Sequence, residues 1–221
     1  TAYRDLGFLP AAVINYLARL GWAHGDQELF SRAELIAAFG LEAVSKSAGV
    51  FNPEKLEWVN FQHLKATAPE ELAGLVQPYL HAAHLPVPAD ATLLPRLCAM
   101  LRERAKTLVD LAAQMRPYLV DDIAYDDKAV AKFLTAAARA PLSTLAESLR
   151  ALPTWSRDTI DHVFQQTLAQ HTLPMGKLAQ PVRVAVTGST ISPGIHDVLE
   201  ALGPTRTLTR LTHALTLIPN S

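Results

Sequence analysis

Side chains that commonly hold metals or act as nucleophiles are few and poorly spaced in this sequence. His81 and His84 are three residues apart and could share a helix face, but no third ligand stands near them at metal-binding spacing. Cys98 is the only cysteine and has no adjacent histidine, so it fits a buried position better than a catalytic one. The acidic stretch Asp121–Asp127 lacks the glycine and the final glutamate of a calcium-binding loop. We therefore predict no metal site and no catalytic residue.

Basic side chains offer another chemistry, the binding of an anionic partner. The net charge is only −1, but it is unevenly distributed. Residues 1–90 contain 6 Lys and Arg against 10 Asp and Glu, whereas residues 91–221 contain 14 against 11. A polyanion responds to charge within about 8–10 Å, so the mildly basic C-terminal part permits RNA binding without proving it.

The bulk composition narrows the class of protein. The 221 residues are 49% hydrophobic, which is enough for one large domain or several small ones. A single cysteine excludes an internal disulfide and favours a reducing compartment, and we expect the cytoplasm. Neither an apolar run of about 18 residues nor a secretory signal occurs, so we predict no membrane association.

Helices must position the basic side chains, because apolar residues recur mostly at spacings of three and four. Ser31 with Glu34 resembles a capping box, Asn52 precedes a proline suited to a first helical turn, and Thr107 with Asp110 predicts a new helix start. A helix that contains Leu94–Leu101 is expected to break near 105–107. The other predicted helices cover residues 10–21, 31–39, 54–64, 68–83, 127–151, 156–171 and 195–217.

One segment is ambiguous, because Val182, Val184 and Val186 alternate with other residues as in a short strand. No partner strand is evident, and an isolated strand leaves its backbone unsatisfied. We therefore predict an all-α fold. The three tryptophans lie in apolar contexts and are predicted to be core residues rather than base-stacking platforms: Trp22, Trp58 and Trp155.

Two stretches are more specific than generic helices. The first comprises Gly7–Pro10, Asn15–Trp22 and His24–Asp26; the second comprises Leu178–Gly188 and Ser192–Gly194. Together with residues 44–47, 51–52, 55–56, 58, 60 and 202–203, they resemble glutamyl-tRNA synthetase, a class I family of the bacterial type. The resemblance covers essentially the whole chain and corresponds to the C-terminal half of that family.

The resemblance implies a division of labour. Residues 1–67 are similar to the helical stem-contact region that follows the catalytic domain. Residues 68–130 and 131–221 are similar to two helical sub-bundles of the anticodon-binding domain. Because both ATP-site signatures of the family are absent from this sequence, we expect ATP and Mg²⁺ to act only in the intact enzyme. This part of the protein should bind no cofactor and should not activate glutamate.

The resemblance also implies which residue reads the anticodon. Alignment on Thr107 and Leu108 places Arg104 at the family's discriminating arginine. The glutamate anticodon ends in cytosine, whose acceptors pair with a guanidinium, whereas the guanine of the glutamine anticodon presents repelling donors. On a helical wheel Arg104 falls near the direction of Leu97, inside the apolar sector. A charge there costs free energy unless it is paired or binds a partner. The alternative is an earlier helix break that leaves Arg104 in solvent; Arg102 is the nearest substitute.

A second anticodon contact is implied at Ser192–Ile195, which resembles the family's Thr-Pro-Gly-Leu turn. Ser192 would hydrogen-bond a base and Ile195 would pack against one, although the same residues could form an ordinary helix start. Phosphate contacts position RNA without reading its sequence. Six basic residues are candidates for that role: Arg102, Lys177, Arg183, Arg206, Arg210 and Lys46. The alternative for Lys46, in the segment Ser45–Ser47, is helix termination, and the others could equally form a solvated basic face.

Three functions remain open. The resemblance favours a monomeric tRNA-binding half of a ligase specific for glutamate tRNA, whose partners are that tRNA and its own N-terminal catalytic domain. A nondiscriminating synthetase would also accept glutamine tRNA, and Arg104 argues against it. An all-α protein-interaction module is the third possibility, and the near-neutral total charge favours it.

Overall fold

The computed structural model describes residues 2–46 and 49–219, and within these ranges the chain is helical with isolated β-bridges and no strand. The all-α prediction is confirmed. The first helices are α1 (Ala2–Asp5), α2 (Pro10–Gly21), α3 (Arg32–Ala38), α4 (Pro53–Ala66), α5 (Pro69–Ala82), α6 (Leu93–Leu101) and α7 (Leu108–Leu119). They are followed by α8 (Asp127–Phe133), α9 (Ala136–Arg150), α10 (Arg157–His171), α11 (Met175–Thr187) and α12 (Ile195–Leu217).

The helix starts follow local sequence rules. Ser31 and Glu34 form the predicted capping box, in which Ser31 Oγ accepts from Glu34 N at 3.2 Å and Glu34 Oε2 accepts from Ser31 N at 2.7 Å. Asn52 Oδ1 accepts from Lys55 N at 3.1 Å at the start of α4. Such caps each contribute about 1 kcal/mol because they satisfy amides that have no partner within the helix.

Contacts divide the molecule into two compact units, Thr1–Arg116 and Pro117–Ser221. The boundary falls within α7. The sequence predicted two boundaries, at 67/68 and 130/131, and that threefold division stays a prediction. Each unit has its own core of fully buried leucines, such as Leu72 and Leu97 in the first and Leu142 and Leu199 in the second.

Two buried asparagines tie segments of the first unit together. Asn15 accepts from Phe30 N at 2.9 Å and donates to Glu28 O at 3.0 Å, which fixes the loop between α2 and α3. Asn60 on α4 accepts from Leu9 N at 2.8 Å and donates to Lys106 O at 2.5 Å. Both side chains are 0% exposed, so the loss of one of these hydrogen bonds would leave a buried polar group unpaired and would reduce the stability of the unit. The amide of Asn60 therefore holds the segment that leads into α7.

The valine alternation lies in a helix, not in a strand. Val182, Val184 and Val186 belong to α11 and are all fully buried. Alternation mimicked a strand because α11 is surrounded by neighbours and buries apolar residues on most of its circumference. Two further departures concern boundaries: the helix predicted over 127–151 is interrupted at Leu134 and Thr135, and α12 bends at Gly203, whose φ is 75°.

Candidate nucleic-acid interface

Arg104 lies in a short turn between α6 and α7. Helix α6 ends at Leu101, and a 3-10 turn spans Arg102–Arg104. Ala105 is then extended and fully buried, and Thr107 caps α7 by accepting from Asp110 N at 3.1 Å. The predicted break and restart are confirmed, but the helical-wheel position of Arg104 is wrong because the α-helix has already ended.

The Arg104 side chain is exposed. Within the described part of its own unit, its guanidinium forms no hydrogen bond or ion pair, and only its backbone oxygen is held, by Gln114 Nε2 at 2.8 Å. A guanidinium presents five donors in a planar fork. At this position the fork is available to a partner from outside the unit. An arginine in solvent was the alternative prediction. A binding role for Arg104 therefore rests on its guanidinium being accessible to a partner, and not on a charge placed in the apolar core.

Arg102 has a different environment. It is half-buried. Its Nη1 donates to Thr67 O at 2.8 Å, and Thr67 is the residue that follows the end of α4. That bond anchors the 3-10 turn to α4. Arg102 therefore contributes to the shape of the turn, and only its remaining N–H groups are left for a phosphate.

The second unit contains the turn Ser192–Ile195 before α12. Arg183 on α11 donates from Nε to Ser192 Oγ at 2.7 Å and from Nη2 to Pro193 O at 3.4 Å. The Ser192 hydroxyl also donates to Pro193 O at 3.0 Å. The structure thus brings together two residues predicted for separate roles, and Arg183 fixes the conformation of the turn.

Ile195 is buried, with 5% of its surface exposed, and begins α12. Because it is buried, it does not present a broad apolar surface for a base. The exposed aliphatic side chain is Ile191, at 77%. Sequence reasoning missed Ile191 because the motif used for alignment begins one residue later.

Arg206 and Arg210 on α12 both hold the segment that follows α7. Arg206 forms an ion pair with Asp121 at 2.9 Å and donates to Tyr118 O at 3.1 Å. Arg210 is only 4% exposed and donates to Val186 O at 2.7 Å and to Val120 O at 2.6 Å. Burial lowers the pKa of Arg210, because it removes the charge from water. A direct phosphate contact by Arg210 is incompatible with this burial, and its role is structural.

Two of the predicted phosphate contacts are exposed lysines. Lys177 lies in the first turn of α11, and Lys46 follows the 3-10 turn Leu41–Ala43. Ser47, which belongs to the same matched segment, lies outside the described residues. Lysine side chains in such positions can reach a phosphate without losing an internal partner.

The other candidates are placed as follows. Cys98 is fully buried, and burial raises its pKa to about 12, so the predicted core position is confirmed. Trp22 is in the core, but Trp58 is 39% exposed with Lys55 Nζ 4.2 Å from its ring centroid, so the core prediction for Trp58 is wrong. Half-buried Trp155 donates to Leu199 O at 3.0 Å.

Two structural features are absent from the described ranges 2–46 and 49–219. No three His, Cys, Asp or Glu side chains there are grouped as metal ligands would be. None of the helices in these ranges combines the length and apolarity that crossing a membrane requires.

Comparison with known proteins places these features in a family context. The profile of the anticodon binding domain matches residues 71–215, which include Arg104 and the Ser192 turn. A second profile, the catalytic domain of class I tRNA synthetases (E and Q), matches residues 1–58.

The proteins whose sequences are similar to this chain are glutamate–tRNA ligases. One from Syntrophobacter fumaroxidans is 49% identical over 98% of this chain, and one from Anaeromyxobacter sp. strain K is 52% identical over 97%. The chain spans 46% and 45% of those two relatives. A crystal structure of a glutamate tRNA ligase from Elizabethkingia meningosepticum, in complex with its amino acid, matches 97% of this chain and 42% of that one at 26% identity, with a TM-score of 0.87.

Proposed function

Because this chain belongs to the anticodon binding domain family found in glutamyl-tRNA synthetases, we propose that it binds glutamate tRNA and reads its anticodon. The observation that carries the proposal is the exposed Arg104 guanidinium, which has no partner among the described residues of its unit and lies within residues 71–215 that match the family. Residues 1–58, which match a catalytic-domain profile, would contact the remainder of that domain and the tRNA stem.

The specificity of Arg104 follows from donor and acceptor chemistry. Cytosine, the last base of the glutamate anticodon, presents O2 and N3 as acceptors to the guanidinium fork. Guanine, the corresponding base of the glutamine anticodon, presents N1–H and N2–H, so donor meets donor. One arginine thereby favours glutamate tRNA and disfavours glutamine tRNA.

The Ser192 turn supplies a second contact in this proposal. Arg183 Nε can only donate, so it occupies a lone pair of Ser192 Oγ and leaves the Ser192 proton to donate. In the unbound state that proton faces Pro193 O. We propose that on binding it turns to an acceptor on an anticodon base, with the exposed Ile191 available for apolar contact.

Phosphate contacts complete the interface. Lys46 and Lys177 are exposed and are proposed as direct phosphate ligands. Arg102, Arg183 and Arg206 already bond to the protein and would contribute their remaining N–H groups. The near-neutral charge of the chain favours few, well-placed contacts over a broad basic surface.

The proposal extends to the longer protein. Relatives are about twice the length of this chain, and we propose that ATP-dependent glutamylation, with Mg²⁺, belongs to their remaining part. We further propose a monomeric cytoplasmic protein. No step of that reaction is assigned to residues of this chain.

A binding measurement with two tRNAs tests this function. We expect this chain to bind a glutamate tRNA transcript more tightly than a glutamine tRNA transcript, with affinity that falls as salt rises. Arg104→Gln should narrow the difference in binding free energy by about 1–3 kcal/mol, the value of a bidentate base contact. Arg32→Gln removes the same charge at another exposed position and should leave the difference unchanged.

The outcomes separate the three functions. Tight binding to both tRNAs indicates the nondiscriminating form. No binding to either at low salt indicates a protein-interaction module. A preference that Arg104→Gln leaves intact would remove Arg104 as the reading residue while retaining the anticodon function.

A further inference from the structure

Gln114 on α7 makes the only described side-chain contact to the Arg104 backbone within that unit. Its Nε2 donates to Arg104 O at 2.8 Å across ten positions of sequence. The carbonyl stands at the end of a 3-10 turn, where backbone partners for carbonyl groups run out. A side-chain donor from the following helix therefore decides where this carbonyl, and with it the Arg104 Cα, is held.

The chain on both sides of Arg104 is already immobilised. Arg102 Nη1 holds Thr67 O at 2.8 Å, and Asn60 Nδ2 holds Lys106 O at 2.5 Å. Between these ties, Ala105 is fully buried. Gln114 adds a third hydrogen bond between these two, at the Arg104 carbonyl itself.

The start of α7, which carries Gln114, is itself anchored. Leu108 N donates to Gly7 O at 2.8 Å, and an added Cβ on Gly7 would lie 2.6 Å from Val109 N. Lys106 Nζ pairs with Glu57 Oε2, on α4, at 2.9 Å. Gln114 thus ties the Arg104 carbonyl to a helix whose own start is held by several contacts.

We infer that Gln114 is a positioning residue for anticodon reading, acting through Arg104 rather than by contact with RNA. The inference rests on the proposed function. Arginine has a long side chain with many rotamers, so the direction in which its fork approaches a base depends on where the backbone is held. Discrimination between cytosine and guanine requires the fork to meet the base edge within about 0.5 Å and 10–20° of the productive geometry. If the Arg104 carbonyl loses its hydrogen bond to Gln114, the guanidinium approaches the base in a wider range of positions and directions.

The bond has little value for stability by itself. Gln114 is half-buried and lies near the surface, so water can replace its amide at the Arg104 carbonyl. Loss of the bond should therefore alter selectivity far more than folding. That contrast distinguishes a positioning role from a structural one.

Gln114→Met tests the inference, because methionine keeps the length and helix propensity of glutamine but has no donor. Equilibrium binding of this chain would be measured with a glutamate tRNA transcript and with its variant that has guanine as the last anticodon base. We expect the ratio of the two Kd values to fall about threefold to tenfold, part of the roughly 5- to 150-fold provided by a full bidentate contact. The melting temperature should change little.

A double-mutant cycle shows whether Gln114 acts through Arg104. In the Arg104→Gln background, Gln114→Met should produce no further change in the Kd ratio. Gln77→Met is the matched control: Gln77 is an exposed glutamine on α5 with no hydrogen bond to the described residues of its unit. Gln114→Ala provides a second variant with the same expected change.

Each outcome decides something. An unchanged ratio in Gln114→Met, while Arg104→Gln lowers it, overturns the positioning role and leaves the proposed function standing. An equal fall in both backgrounds also overturns it, because Gln114 would then act independently of Arg104. A ratio that Arg104→Gln itself does not change removes both the positioning role and Arg104 as the reader.

Discussion

Arg104 and Arg210 carry the same guanidinium in opposite surroundings. The Arg104 side chain is exposed and makes no hydrogen bond within the described part of its unit, whereas Arg210 is 4% exposed and bonds carbonyls at the ends of two helices. A buried cation that satisfies carbonyl groups stabilises the fold, and an exposed one is free to bind an anion or a base. At the scale of the residue, exposure therefore separates structural arginines from binding arginines.

Arg210→Met should destabilise the second unit without a comparable effect on RNA affinity of the folded protein. Methionine approximates the aliphatic stem but leaves the carbonyls of Val186 and Val120 without their donor. We expect the unfolding free energy to fall by about 2–4 kcal/mol, since each buried unsatisfied group costs about 1–3 kcal/mol. Urea unfolding followed by circular dichroism measures the change.

Lys177→Met is the control for that substitution, because Lys177 is an exposed lysine of the same unit. Its unfolding free energy should stay within about 0.5 kcal/mol of the original. If instead Arg210→Met were as stable as the parent and lost RNA binding, a phosphate role for Arg210 would be restored.

At the scale of the element, helix ends decide how the second unit closes. Helix α11 ends at Gly188, which has a φ of 74° and lies against the segment before α8. Gly188 O accepts from Asp126 N at 2.9 Å, so the same residue ends one helix and meets the start of another. The left-handed backbone conformation at this point is readily adopted only by glycine.

Gly188→Ala should destabilise the chain by well over about 1 kcal/mol, because alanine is disfavoured at positive φ and its Cβ would overlap the Ala124 carbonyl oxygen. Gly176→Ala is a matched change in the first turn of the same helix, where an added Cβ meets nothing within 4 Å. It should be neutral or stabilising by up to about 1 kcal/mol. Equal unfolding midpoints for the two variants in urea would contradict this account of the α11 end.

The joint between α2 and α4 should depend on pH through His63. Asn15 Oδ1 can only accept, and it lies 2.9 Å from His63 Nε2, so that nitrogen carries a proton in the neutral ring. Burial lowers the pKa of His63 below its ordinary value. The folded protein therefore binds fewer protons than the unfolded chain, and the stabilising contribution, complete above about pH 6.5, is lost as pH falls towards the folded pKa.

His63→Gln should reduce the loss of stability on acidification while retaining a donor for Asn15. The measurement is the urea midpoint of both proteins between about pH 8 and pH 5. The difference between the two proteins isolates His63 from the carboxylates, which also titrate in acid. Parallel curves would show that His63 makes no contribution to the pH dependence.

At the scale of the whole molecule, charge limits how RNA can be held. The chain has 20 Lys and Arg against 21 Asp and Glu, and several arginines are already bonded to the protein. Of the cations proposed to contact RNA, only Lys46, Arg104 and Lys177 are exposed. The proposed RNA binding should therefore depend on base contacts and shape as well as on electrostatic attraction.

The salt dependence of tRNA binding should accordingly be modest. With Lys46 and Lys177 as phosphate contacts, and up to three more from Arg102, Arg183 and Arg206, log K should fall with log salt at a slope of roughly −1.4 to −4.5, at about 0.7–0.9 per contact. Filter binding between about 50 and 200 mM KCl measures the slope. A slope steeper than about −6 would reveal a larger basic surface than the proposed contacts provide.

The sequence by itself determined the class of fold, most helix starts and the family. Caps at Ser31, Asn52 and Thr107 depend on residues three positions apart, and such local chemistry can be read along the chain. Tertiary structure decided the rest: that Arg210 is buried, that Trp58 is exposed, that the valines of α11 form a helix, and that Gln114 reaches the Arg104 carbonyl. These properties depend on partners 10 or more positions away, and spacing along one segment does not specify which distant surface packs against it.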